Sequence, residues 1–113
     1  MGGQILKPAT TLMEASATDA EASLSTKGAA ANHPPGGQSN YVTLLTASYS
    51  DPSASGLLTL DRVNGFLFFY VHGKAVIPFS VPLQIVQGTG FDLKLAAGGA
   101  GVEGRIGVAF YTL

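Results

Sequence analysis

Any chemistry on this chain has to start from two histidines, seven acids and its serines, because cysteine is absent. His33 sits in the run Asn32-His33-Pro34-Pro35-Gly36-Gly37, and His72 closes an apolar stretch. A hydrolytic triad needs a nucleophile, a base and an orienting acid within hydrogen-bond reach, and no serine here occupies a nucleophile-elbow pattern. Two isolated histidines do not make a closed zinc site, and the acids never cluster as a calcium loop requires. Asp51 with Asp61, and Asp92 with Glu103, are the carboxylate pairs that folding could bring together; acids flanking strands are more often solvated. Gly98-Gly99-Ala100-Gly101 lacks the Gly-Lys-Ser/Thr ending of a phosphate loop, and no helical segment follows it to bind an anion. It reads as a hairpin loop. The expectation is a non-enzyme with no catalytic residue, no metal site and no cofactor.

The aromatic residues carry more weight. Phe68, Tyr70, Phe79, Phe91, Phe110 and Tyr111 are core candidates first. The stretch Phe66–Val71, however, is apolar on both faces, and such a strand needs a cover on each side. One cover is a second sheet. The other is a symmetry mate or the chain's own N-terminal segment, so contacts between subunits are expected.

These residues must be positioned by strands. The chain has 113 residues, 46% of them apolar, which suits one small domain. All ten aromatics lie at or after Tyr41, so the sequence divides into an arm and linker over 1–40 and a packed domain over 41–113. The arm is rich in Ala, Ser, Thr and Gly and ends in a Pro/Gly linker. Thr11–Leu24 carries a thin apolar stripe, short for an isolated helix in water. The arm is therefore expected to be extended or disordered when free, outside the packed domain, with a helix over that stretch as the alternative. Its apolar anchors are Ile5, Leu6, Leu12, Met13 and Leu24, and its hinge is Pro34-Pro35-Gly36-Gly37.

From Tyr41 the pattern alternates. Tyr41, Thr43, Leu45, Ala47 and Tyr49 share one face of a first strand, and Asp51–Gly56 is a turn. A strand over Leu57–Asp61 is followed by Asn64-Gly65, a strong hairpin signal. Phe66–His72 is expected to be central because both faces are apolar. Ala75, Ile77, Phe79, Val81, Leu83 and Ile85 then alternate with period two on one buried face. Pro78 and Pro82 cannot donate to a ladder, so this is an edge strand or a broken pair. Phe91–Leu95 and a last strand with Val102, Ile106, Val108 and Phe110 on one face complete six or seven strands. Gly107 marks a bulge or a close backbone approach. The fold class expected is all-β: a small antiparallel β-sandwich, jelly-roll-like, with an extended N-terminal arm.

Composition narrows the partners. Net charge is −1, with six Lys/Arg and seven Asp/Glu. The basic residues are scattered singly, which is no footprint for nucleic acid. Charged residues make up 12% of the chain, about half of the usual ~25%, so much of the surface is expected to be covered in the working state. No apolar run approaches the ~18–20 residues of a membrane helix, and the first residues have no basic start and apolar block, so no secretion is expected. A small core without disulfides usually needs a staple, and the one left here is oligomerisation or docking.

Several segments together form a recognisable series. They are Tyr41-Val42-Thr43 after a Gly/Pro-rich arm, Phe69-Tyr70-Val71-His72, Ile77-Pro78-Phe79, Pro82-Leu83 and the closing run Leu95–Val108. The series resembles small virion structural proteins of tailed bacteriophages, among them capsid decoration (cement) proteins. The resemblance covers about residues 40 to 113 and lies in style and order rather than in a diagnostic motif. It implies a homotrimer on the exterior of a phage head, made in the host cytoplasm, with the major capsid protein as partner and the arm spread over neighbouring subunits. On that reading the shell-binding arm uses Ile5, Leu6, Leu12, Met13, Pro34 and Pro35. The oligomer interface uses Tyr41, Tyr49, Phe69, Tyr70 and Tyr111. The rival expectation is a phage tail or fibre module that binds a host receptor or carbohydrate.

Overall fold

A computed structural model describes residues 10–26, 38–63 and 65–113. Within them the chain is all-β. The strands are β1 (Thr11–Thr18), β2 (Ala22–Ser25), β3 (Asn40–Tyr49), β4 (Ser55–Arg62), β5 (Gly65–His72), β6 (Lys74–Gln84), β7 (Phe91–Leu95) and β8 (Glu103–Thr112). They form two four-stranded antiparallel sheets, one in the order β1-β8-β3-β6 and the other β2-β7-β4-β5. The chain crosses between sheets at every connection except the β4–β5 hairpin, the winding of a jelly roll. The expected β-sandwich is what the structure shows.

The core follows from period-two patterning. Leu45, Ala47 and Tyr49 of β3, Leu58 and Leu60 of β4, Leu93 and Leu95 of β7, and Ile106, Val108 and Phe110 of β8 all turn inward and are buried. Phe91 meets Phe110 edge to face, with ring centres 5.7 Å apart, an arrangement that aromatic quadrupoles favour. The face expected for Ile106, Val108 and Phe110 is the buried one.

Local irregularities shape the sheets. Thr43 is an extra residue in β3: Val42 faces Phe110 and Leu44 faces Ala109, so the bulge reverses which side chains point inward. Tyr41 therefore does not share the face of Leu45 and Ala47, as strict alternation predicts; it stacks on Tyr111, with ring centres 5.2 Å apart. Against β6 the same slip is larger. Val42 faces Leu83 and Leu44 faces Pro78, which leaves 79–82 outside the register. β6 is thus both an edge strand and a broken one, because two prolines remove ladder donors at the break. Val81, expected on the buried face, is 79% exposed in this looped-out stretch. At Gly107 the register is regular, and the close neighbour is a side chain rather than backbone: a Cβ there would lie 2.6 Å from Thr46 Oγ1.

Two expectations are corrected. Thr11–Thr18 and Ala22–Ser25 are neither helix nor loose arm but the outer strands of the two sheets, paired with β8 and β7. Met13, Ala15 and Ala17 pack on the core while Glu14, Ser16 and Thr18 face out; with such small residues the alternation is faint in sequence. Asp19, at φ 60°, turns the chain between them, and its carboxylate accepts from the Gly101 amide. Thr26 then clasps Phe91, donating its amide to the Phe91 carbonyl at 2.9 Å and accepting from the Phe91 amide at 2.7 Å. The second correction concerns β5, expected to be central. Among the described residues it lies at the edge of its sheet, with β4 on one side only. The cover required by its second apolar face is not supplied by the described residues.

Candidate docking surface

β5 carries three exposed large hydrophobic residues, more than any other described strand, and the period of the strand explains how. Leu67, Phe69 and Val71 point inward, so Phe66, Phe68 and Tyr70 must point outward. They are 59%, 62% and 70% exposed. The Phe66 and Phe68 rings stack, with centres 6.0 Å apart and planes at 19°, and form one exposed apolar row. Tyr70 extends it and donates its hydroxyl to Ser55 Oγ at 2.8 Å. Leu57, across from Tyr70 on β4, is also exposed.

The narrow side of the sandwich beneath this row is open as well. β5 and β6 lie over one another and are joined by Gly73 alone. Between them Leu67, Phe69, Ala75, Ile77 and Phe79 are only half-buried against the core. Gly73 (φ 72°) permits this tight crossing, since a Cβ there would press to 2.7 Å from the Pro52 carbonyl oxygen. From Gly65 to Val71 no residue is charged. The arrangement can bury rings against a partner.

A second concavity crosses the outer face of the β1-β8-β3-β6 sheet. It is a shallow trough of about 460 Å³ whose floor includes Thr46, Ala47 and Ile106, with Glu14, Lys74 and Arg105 at its walls. Arg105 is already engaged by Glu103 at 2.9 Å.

No protein-family model matches the chain, and no curated protein matches it in sequence. Among solved structures, it is similar to the virus-like particle of the extra small virus of the giant freshwater prawn Macrobrachium rosenbergii, determined by cryo-electron microscopy. The likeness spans 97% of this chain and 83% of that one, at 8% identity and a TM-score of 0.33. So loose a likeness leaves the function to be argued from the surface.

The residues singled out from sequence are scattered over that surface. Ile5, Leu6, Pro34, Pro35 and His33 lie outside the described residues. Leu12 is on β1 and 73% exposed, whereas Met13 beside it turns inward and packs on the core. Tyr41 and Tyr111 pair at one end of the trough-bearing sheet, half-buried. Phe69 is half-buried toward the core, and Tyr70 alone of the five interface candidates stands in the exposed row.

Tyr49 is interior, 6% exposed, and its hydroxyl donates to the Ala96 carbonyl at 2.7 Å. Its ring is housed by glycines. A Cβ on Gly98 would come within 2.6 Å of Tyr49 Cδ1, one on Gly104 within 3.5 Å of Cε1, and one on Gly56 would collide with the hydroxyl. Burial, with a smaller effect of Tyr70, pushes the Tyr49 hydroxyl above its ordinary pKa. The loop Gly98–Gly101, expected as a hairpin, instead carries the chain from one sheet to the other around this ring.

The carboxylates also pair differently from expectation. Asp92 and Glu103 belong to opposite sheets, and Asp61 faces Asp92 across the β4–β7 ladder. Asp51 is a turn-former: the Ser53 amide and hydroxyl both donate to its carboxylate and hold its pKa below the ordinary value. Among the described residues no three potential metal ligands gather. Sequence reasoning missed Phe66 and Phe68 as surface residues. Their period-two spacing with Tyr70 put all three on one face, but nothing local said which face was covered.

Proposed function

We propose that this protein is a structural component of a virion that works by docking, without catalysis. In the finer form of that reading it is a capsid decoration or cement protein on the exterior of a phage head, with the major capsid protein as partner. The observation that carries it is the row Phe66, Phe68 and Tyr70, three aromatic rings standing in solvent on an edge strand. Exposed apolar patches of this kind mark interaction surfaces, and a ring reaches its full worth only when a partner desolvates it. The charge-poor composition agrees with a surface that is largely covered. Jelly rolls are used by viral capsid and lectin domains alike, which is a fold-level analogy and no more. Many copies on one shell would sum weak contacts by multivalency.

The test is co-sedimentation of the full chain with expanded heads of the phage that encodes it. Saturable binding, together with raised resistance of the heads to heat, is expected. Replacing Phe66, Phe68 and Tyr70 together by serine should abolish the binding while the chain stays folded. Heads that take up none of the wild-type protein would end the proposal.

One observation favours a second reading, a tail or fibre module for a host carbohydrate. The stacked Phe66 and Phe68 rings stand beside the Ser55–Tyr70 hydroxyl pair as an exposed apolar row with a polar rim, which suits the C–H face of a sugar ring. A glycan-array signal without binding to heads would decide for it.

A further inference from the structure

We infer that β5 is a two-fold pairing edge: two copies of this chain join antiparallel through Phe66–Tyr70, with the axis at Phe68, into one continuous eight-stranded sheet. This goes beyond docking on a shell and does not depend on it.

The first argument is the state of the four sheet edges. An unpaired edge strand is a template for another strand, and proteins guard it with proline, charge, bulges or shortness. β6 is guarded by Pro78 and Pro82 and by the looped-out residues 79–82. β2 is only four residues long. β1 carries Glu14 and turns Ser16 and Thr18 outward. β5 has none of these devices: eight residues, all in regular register with β4, no proline, and no charge from Gly65 to Val71. The free backbone edge defines the occupant's form, which is an extended strand.

The second argument is the internal symmetry of the strand, which selects a second copy as that occupant. The sequence Phe66-Leu67-Phe68-Phe69-Tyr70 is apolar without interruption, so turning it about its centre sets every apolar residue against another. With the axis at Phe68, each outward Phe66 meets the other copy's Tyr70, the two Phe68 rings meet each other, and each inward Leu67 meets a Phe69. Every cross-strand pair is aromatic or aliphatic, the kind that stabilises antiparallel pairing, and no like charges meet across the axis. The half-buried Leu67 and Phe69 gain cover in the same step.

The exposed rings of two copies carry on the order of 700 Å² of side-chain surface, and pairing covers only the part that turns toward the other strand, because the rings stay on the outer face of the joined sheet. That is less than the roughly 1,200–2,000 Å² of a stable interface, even with the backbone ladder added. The pair is therefore expected to be a reversible, micromolar dimer in free solution.

Sedimentation equilibrium of the full chain over a wide concentration range tests this. A monomer–dimer equilibrium is expected. Phe68→Lys should weaken it about tenfold or more by placing like charges opposite one another, and so should Phe68→Asp. Mixing the two variants should restore dimers as mixed pairs, which a merely misfolded variant would not do. Val81→Lys, on the guarded edge, should leave dimerisation unchanged. A wild-type protein that stays monomeric, or that forms the homotrimer expected from sequence, overturns the inference while leaving shell binding intact. Dimers unaffected by Phe68→Lys overturn it equally. Conversely, charge-rescued dimers from a protein that ignores phage heads would uphold the pairing and remove the decoration reading.

Discussion

The two narrow sides of the sandwich are built from opposite materials. On one side β1 and β2 lie over each other and are made of Thr, Ser, Ala and a few larger residues, without an aromatic ring. On the other side β5 and β6 hold Phe66, Phe68, Phe69, Tyr70 and Phe79. Yet the poor side is tied in, with β1 in full register along β8 and Thr26 clasped to Phe91, and the rich side stands open. Apolar content therefore does not report burial here. Backbone pairing can recruit a strand whose side chains contribute little, because each paired residue satisfies main-chain groups that would otherwise be left without partners. An aromatic strand at an edge keeps half its side chains in water until something else arrives.

That contrast can be broken or sharpened by substitution. The largest effect is expected from removing residues 1–26, which strips both sheets of an outer strand. The fragment should lose cooperative unfolding altogether, as followed by near-ultraviolet circular dichroism, since a domain's whole margin is only ~5–15 kcal/mol. A fragment that unfolds with wild-type cooperativity would show that β1 and β2 are dispensable. Next is the interior control. Tyr49→Ala empties the glycine-lined site and should cost about 3–5 kcal/mol in urea denaturation, and Gly98→Val, which overfills it, about 1–3 kcal/mol. On the rich side, the triple serine substitution at Phe66, Phe68 and Tyr70 should shift stability by no more than about 0.5 kcal/mol per site, as exposed positions do. If it instead unfolds the chain, those rings are core and the contrast fails.

The smallest effect concerns Asp51. Its pKa is depressed in the folded protein by the Ser53 hydrogen bonds, so their stabilisation is present at neutral pH and fades as acid protonates the carboxylate. Asp51→Asn keeps an acceptor but cannot titrate. The melting temperature of wild type relative to this variant should therefore fall slightly on going from neutral pH to about pH 3, below the ordinary aspartate range.

Much of this was legible in the residues themselves. Period-two alternation placed Leu45 with Ala47, and Ile106 with Val108 and Phe110, on shared faces, and those faces are buried, because a strand's geometry leaves no other phase once one face is apolar. Pro78 and Pro82 announced a broken edge by chemistry that holds in any fold. Gly107 announced a bulge or a close backbone approach, and what lies close is the Thr46 hydroxyl instead. The bulge at Thr43 was not legible, since no residue type forces it, and with it went the orientation of Tyr41. β1 and β2 were missed because Met13, Ala15 and Ala17 are too small a signal against Glu14, Ser16 and Thr18.

What the sequence determined by itself, then, is the alternation of strands, their inward faces and the positions where a ladder cannot form. These depend on backbone geometry over two or three residues and need no knowledge of neighbours. Which strands ended at the sheet edges, whether Tyr49 lay inside or out, and that Phe66, Phe68 and Tyr70 faced solvent were decided only by the tertiary structure. Those outcomes depend on what lies across a sheet from residues distant in the chain: Ala96 accepting from the Tyr49 hydroxyl, glycines at 56, 98 and 104 making room for its ring, and no strand beyond β5 among the described residues.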